Sequence, residues 1–589
     1  MNQETPKRSL PGGVQSFEEV REPGYLYVDK TALIHKLIER KWKATFLSRP
    51  RRFGKSLLCS TLKALFQGRR DLFQELKNEN GTILRPALAI DKLPWDWTEY
   101  PVIHLDLSNE DFSVGKSVLN SLLTAKLSRH AGDFRVDLVG DTASVRFENL
   151  IIDVHEKRKR QVVVLVDEYD APLLDTLTEP AIHAELQEAL KAFYKTLKTC
   201  SEHLRFVFLT GISKFSGVSV FSALNNLDDI TLDPDFAEIC GITHEEVLET
   251  FAPEIDSIVR ATGRDRDDYL ATLQRCYNGY RFSKRQGDGV YNPYGLLLHF
   301  RHRGEFLPYW YETGTPKYLV DTIRKHGIGL LEEKDMYFTP EQFSTVDISS
   351  IEPALLLFQC GYLTIKKYDT TSDKYILDYP NDEVRSAFSR SLIRHCFGNK
   401  HMFRYDTDML EALNTGNVEQ LVQILESLFA GITYAVQSKR HESLQLTTNV
   451  IFMMLGIHCR CESCTSFGRI DVLVETNLYV YLFEYKMDRP AWEALKQIQT
   501  KDYALQYKGR GKTVFSIGVS FKSAKRNIEE VAYFKDDSDD VVLLCRKGSS
   551  WQRTQASRRA GEPIPGHIRI LRRVRDMVFP KPSLPAKSE

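Results

Sequence analysis

Apolar and polar positions along the chain alternate between two periods. Short apolar runs at 42–48, 101–107, 162–166 and 205–209 read as strands, and 162–166 is wholly apolar and mostly β-branched, as in a strand buried on both faces. Between them lie helical patterns. Leu57, Leu58, Leu62, Leu65 and Phe66 recur at helical spacing within 56–66, and residues 114–127 and 183–199 behave alike. A broken helix is expected over 14–40, interrupted near Pro23 and Gly24. Strands alternating with helices predict an α/β fold with a mostly parallel sheet.

Past residue 231 the pattern turns helical, with capping-box spacing at Thr243-His244-Glu245-Glu246. Residues 290–430 are mixed and their order is not legible. Strand-like alternation returns at 469–486, preceded by a helix over 442–455 and followed by a helix near 491–507 and a strand at 514–519. Residues 547–589, rich in Pro, Gly, Ser and Arg, read as a flexible tail. Four segments follow: 10–230, an ATPase-like core; 231–430, a helical lid and connecting region; 431–546, a second α/β domain; and the tail.

Composition changes this picture little. The 589 residues carry 79 Lys and Arg against 79 Asp and Glu, with 42% apolar and 27% charged residues. That is ordinary for a globular chain, and a neutral total leaves nucleic-acid binding to local patches. The N-terminus lacks the apolar stretch of a signal peptide, and no apolar run approaches the roughly 20 residues that span a bilayer. An intracellular protein, cytoplasmic or nuclear and free of membrane, is the expectation. Most of the ten cysteines are scattered, as buried thiols would be. The cluster His458-Cys459-Arg460-Cys461-Glu462-Ser463-Cys464 has zinc-ligand chemistry, but its ligands are crowded and no second pair completes a split site, so free thiols are the better reading.

Candidate chemistry begins at Ser48-Arg49-Pro50-Arg51-Arg52-Phe53-Gly54-Lys55-Ser56, a turn from strand to helix ending as a P-loop ends. Gly54 would let backbone N–H groups approach phosphates, Lys55 would neutralise them, and the Ser56 hydroxyl would hold Mg²⁺. Arg49 stands where the pattern has its first glycine, and Arg49 and Arg52 add positive charge for the nucleotide. The run 162–168 delivers Asp167 and Glu168 at a strand end, the first for Mg²⁺ and the second to polarise water. A third strand ends at Thr210-Gly211-Ile212-Ser213-Lys214, where Thr210 or Ser213 is a candidate γ-phosphate sensor and Lys214 a second phosphate contact. Arg281 is a further candidate, from the lid.

These segments resemble the AAA-ATPase-like family that carries a C-terminal PD-(D/E)XK domain. The resemblance is carried by Tyr27-Val28-Asp29-Lys30-Thr31, the Arg49–Ser56 turn, Val166-Asp167-Glu168-Tyr169-Asp170, 209–216, Asn225-Asn226-Leu227, Tyr277-Asn278-Gly279-Tyr280-Arg281-Phe282 and Tyr291-Asn292-Pro293. In that family an arginine at the position of Arg49 is normal. The resemblance implies ATP and Mg²⁺ as ligands.

A second constellation lies in 468–486. A two-residue turn at Asn477-Leu478 pairs Thr476 with Tyr479 and sets Asp471 opposite Glu484, with Cβ atoms about 4.5–5.5 Å apart. Carboxylates that close repel unless a cation lies between them, and Mg²⁺ prefers such ligands. Lys486 shares the face of Glu484 and could stabilise a scissile phosphate. This Asp…Glu-x-Lys spacing resembles the PD-(D/E)XK superfamily, a restriction-endonuclease-like fold. The resemblance implies Glu442 as an additional metal ligand and Gln497 and Tyr503 as trailing helpers. Its usual Tyr-His is replaced here by Gln445 and Leu446.

Two functions compete. One is ATP hydrolysis coupled to metal-dependent cleavage of DNA or RNA. The other is a nucleotide-switched regulatory or nucleic-acid-binding protein with an inactive nuclease fold. The oligomeric state is left open.

Overall fold

The computed structural model describes residues 9–556 except 109, 178, 215–226, 286, 288, 311–335, 345–351, 398–401, 432–447, 449–450, 453–459, 463–469, 477, 502, 505–506, 508–510, 526, 537–539 and 549. The described residues form two compact units, dividing between Val384 and Arg385. No described helix is long and apolar enough to cross a membrane.

In the first unit five strands make one sheet: β1 (Ala44–Ser48), β2 (Val102–Asp106), β3 (Val162–Asp167), β4 (Leu204–Gly211) and β5 (Leu227–Asp229), in the order β2-β3-β4-β1-β5. All neighbours run parallel, as the alternation of strands and helices predicts. Every residue of β3 is buried, which is why its sequence lacks alternation. The 231–384 region, expected as a separate connecting segment, packs with this core. Trp310 donates its indole N–H to the Arg51 carbonyl at 3.2 Å. Phe53 meets the ring edges of Tyr280 and Phe282. Gly361 lies so close to Pro50 that a Cβ would stand 2.6 Å from the proline ring.

The second unit is built on a seven-stranded sheet: β6 (Arg460–Glu462), β7 (Val472–Glu475), β8 (Tyr479–Met487), β9 (Thr513–Lys522), β10 (Asn527–Lys535), β11 (Val541–Lys547) and β12 (Ser550–Ala556), in chain order across the sheet. Only β8 and β9 are parallel, and the helix Ala491–Thr500 makes their crossover. That helix lies directly on β9. A Cβ on Gly518 would stand 2.3 Å from the Ala491 carbonyl, so only glycine admits this approach. The helices Met402–Thr415 and Val418–Gly431 belong to this unit: Tyr481 donates to the Leu413 carbonyl at 2.6 Å and Trp551 to Glu426 at 2.6 Å. The expected tail therefore begins too early. Residues 550–556 pair along the whole of β11, and the Trp551 indole is anchored on Glu426.

Candidate functional site

The P-loop turn opens a helix, α1 (Lys55–Phe66), whose N-cap is Gly54 at φ 91°. No atom lies within 4 Å of where a Gly54 Cβ would stand, so the backbone faces open space. It borders a cavity of about 590 Å³, a size suited to a nucleotide-sized ligand. Its lining includes Gly54, Lys55, Ser56 and Glu168 together with the apolar Val14, Leu26, Val28, Ile239 and Ile242.

Of the expected residues, Lys55, Ser56 and Glu168 line it, and Asp167 stands beside them. Lys55 is buried, 3.2 Å from Glu168 and 3.3 Å from the Pro50 carbonyl, to which it donates. Burial alone would lower its pKa, but Glu168, Asp167 and Asp170 outweigh that and hold it above its usual value. Asp167 is buried at the end of β3, where desolvation and then Glu168 push its pKa up to about 6, against a hydrogen bond from Ser56. A hydroxyl beside a buried carboxylate is a hard-oxygen donor pair that suits Mg²⁺. Glu168 sits half-buried at φ 51°, its N–H donating to Asp167 at 3.1 Å.

Other expected residues stand elsewhere. Arg49 is buried and donates to the carbonyls of Ser48, Thr231 and Phe236 at 2.8–3.0 Å, with its guanidinium 4.2 Å from the Phe282 ring centre. Burial holds its pKa down at about 10. It clamps β1 to the 231–236 segment and does not border the cavity. The Thr210 hydroxyl is taken by the Leu47 carbonyl at 2.8 Å, tying β4 to β1. Ser213 donates through N–H and hydroxyl to Asp170 at 2.7 and 2.6 Å. Lys214 pairs with Asp229 at 2.5 Å on the wall of a different cavity. Arg281 donates to the Lys366 carbonyl at 2.8 Å, away from the P-loop. Arg52 lines the cavity.

Sequence reasoning missed one carboxylate, Asp106, and left Asp170 only as an alternative to Glu168. Asp106 ends β2 directly beside Asp167 in parallel register and adds to the rise in its pKa. Its signal was an apolar run ending in an acid, like that of β3. Asp170 braces β3 to β4: it accepts from Ile212 and Ser213, and a Cβ on Gly211 would stand 2.2 Å from it. It is raised to about 6, by burial first and Glu168 second.

In the second unit the hairpin has the expected register. Val472 pairs with Phe483 and Glu475 with Val480, and Thr476 donates to the Tyr479 carbonyl at 2.9 Å. Asp471 and Glu484, one step beyond the ladder, are both buried. Asp471 accepts from the Tyr485 N–H at 2.8 Å. Lys486 bridges Glu484 at 3.2 Å and the Gln497 side chain at 2.8 Å. Tyr503 hydrogen-bonds Gln497, and its pKa is raised by burial, then by Glu484 and Asp471. Buried oxygen donors on a rigid strand pair form a donor set that fits a hard divalent cation. Glu442, Gln445, Leu446 and most of the 458–464 cluster lie outside the described residues, and among those described no metal-ligand cluster of three or more His, Cys, Asp or Glu is found.

Comparison with known proteins finds matches over both parts of the chain. Residues 11–221 match the family described as predicted AAA-ATPase, and 444–531 match the PD-(D/E)XK nuclease superfamily. A protein of Azotobacter chroococcum mcd 1, described as an uncharacterized protein in the vnfD 5' region, is 36% identical over 534 residues, covering 89% of this chain and 98% of that one. The crystal structure of Cdc6p from Pyrobaculum aerophilum aligns over 64% of this chain and 97% of that one, at 11% identity and a TM-score of 0.21, too low to carry an argument.

Proposed function

The chain belongs to the predicted AAA-ATPase family and carries a PD-(D/E)XK nuclease superfamily domain near its C-terminus, and from that premise we propose that it hydrolyses ATP and cleaves DNA or RNA with a divalent metal. The observation that carries most weight is that Lys55, Ser56 and Glu168 line one cavity with Asp167 beside them. Lys55 binds and neutralises the phosphates, and Glu168 orients water and accepts its proton. Ser56 and Asp167 would hold Mg²⁺, which supplies charge neutralisation on the phosphates. In the second unit Asp471 and Glu484 would hold the metal. Lys486, kept in place by Gln497, offers its ammonium to a phosphate oxygen.

A second reading, a nucleotide switch with a non-cutting domain, draws support from Lys486 being held by Glu484 and Gln497, as in a structural salt bridge. Plasmid and RNA cleavage with Mg²⁺ or Mn²⁺, by the full chain and by Asp471→Ala, separates the two. Metal-dependent cutting lost in the variant supports the nuclease. ATP turnover without cutting, the same in both proteins, supports the switch.

A further inference from the structure

We propose that Tyr294 is a positioning residue that holds the Arg52 guanidinium in the 590 Å³ cavity that Lys55 and Ser56 also line, so that triphosphate affinity depends on a ring that need not touch phosphate. The proposal rests on the nucleotide-site reading above.

Three arginines stand in the P-loop turn, and they have different surroundings. Arg49 is consumed by three carbonyls and the Phe282 ring. Burial raises the pKa of Asp175, and Arg51 lies near enough to oppose that rise. Among the described residues, no carboxylate lies within ion-pair distance of Arg52. Its guanidinium stacks 3.8 Å from the centre of the Tyr294 ring, and both residues line the cavity with Lys55 and Ser56. A planar cation held over a ring face keeps its edge N–H donors available to an anion.

The backbone points the same way. Arg52 has φ 66°, in the left-handed region that glycine adopts freely and a long side chain does not. Strain of this kind persists where the surroundings fix it, and it gathers at ligand clamps. A glycine would relax this turn and lose the cation.

Tyr294 is itself well fixed. It is the second residue of α2 (Pro293–Arg301), whose cap Asn292 accepts the N–H groups of Tyr294 and Gly295 at 3.0 and 3.1 Å. The preceding Tyr291 exchanges backbone hydrogen bonds with Ile242, another cavity residue, at 2.7 and 3.2 Å. The ring therefore ties the helical region to the P-loop through Arg52.

The test uses the full chain with Mg²⁺ and fluorescent ATP and ADP analogues. Tyr294→Ala should weaken the triphosphate about tenfold, the worth of one charge-assisted contact, and the diphosphate by less than about threefold. Tyr294→Phe, which keeps the ring face, should match wild type. Arg52→Ala should match Tyr294→Ala, and the double variant should be no worse than either single one, as for two residues acting as a unit. If Tyr294→Ala does not fold, Tyr294→Leu keeps bulk without a π face and is read the same way. Equal losses for both nucleotides, additive losses, or a Tyr294→Phe as weak as Tyr294→Ala would overturn the proposal. A wild-type chain that binds neither analogue would instead overturn the nucleotide site itself.

Discussion

Lys55 is the residue on which the first site turns. Buried among Asp167, Glu168 and Asp170, it is both the phosphate ligand and the counter-charge that makes their burial tolerable. Lys55→Ala should abolish nucleotide binding. It should also lower the stability of the nucleotide-free protein by on the order of 1–3 kcal/mol, discounted because Glu168 is partly exposed. Isothermal binding and urea denaturation check both outcomes. Glu168→Gln should keep the triphosphate bound but slow its turnover by about 10²-fold or more, the range expected for loss of a general base. Single-turnover kinetics with excess protein would show it, and unchanged turnover would remove Glu168 from the chemistry. These residues were legible because a lysine after a glycine at a helix start, and an acid at the end of an apolar strand, have their direction set by the backbone. Arg49, Thr210, Lys214 and Arg281 were not. A long or branched polar side chain at a strand end can turn toward the cavity or toward a neighbouring carbonyl. Which it does depends on segments such as 231–236 and 364–366, far away in sequence.

Elements show the same division between local and distant causes. The β7–β8 register was readable because a two-residue turn leaves one pairing that keeps both apolar faces inside. If Asp471 and Glu484 share a divalent ion, Mn²⁺ should stabilise the full chain's second unit by RT ln(1 + [L]/Kd), about 2.7 kcal/mol at a hundredfold excess, and so raise its melting temperature. Asp471→Asn should remove most of that gain, and differential scanning calorimetry with and without EDTA reads it. The strands β10 to β12 went unread because their burial depends on the 402–431 helices, 100 residues or more upstream. In α2, His299 is fully buried between Tyr269, 2.7 Å away, and the Glu305 carbonyl at 2.9 Å. The carbonyl only accepts, so Nδ1 carries the proton and Nε2 accepts from the tyrosine. Burial lowers the pKa of His299 from 6.5 to about 4. The unfolded chain therefore takes up a proton between those values and the folded one does not. Stability from this group is intact above about pH 6.5 and falls with acidification, by roughly 3 kcal/mol once pH is below 4. Urea midpoints from pH 7 to 4.5 should show a flatter curve for His299→Gln than for wild type, whatever its cost at pH 7.

At the scale of the molecule, the two units divide at residue 384, well inside the region that sequence pattern could not order. The shift has a practical outcome. A chain ending at Lys547 strips β12 from β11 and releases Glu426 from Trp551. An apolar edge, Val541 to Leu544, is then open to other chains. Such a truncation should lose soluble yield and melt earlier than one ending after Ala556, as size-exclusion chromatography and thermal melts would record. The two sheets also differ in when they can exist. Most strands of the second unit pair with the next strand along the chain. In the first, β1 ends at Ser48 and pairs only with β4, which begins at Leu204, and with β5 beyond it. On a ribosome adding about 5–20 residues each second, the strand that leads into the P-loop waits roughly 8–30 s for its neighbour. Until then its apolar residues have no sheet to enter, and chaperones or premature contacts compete for them. Stalled nascent chains of 150 residues should accordingly fail to retain a nucleotide analogue that chains stalled well past residue 384 retain.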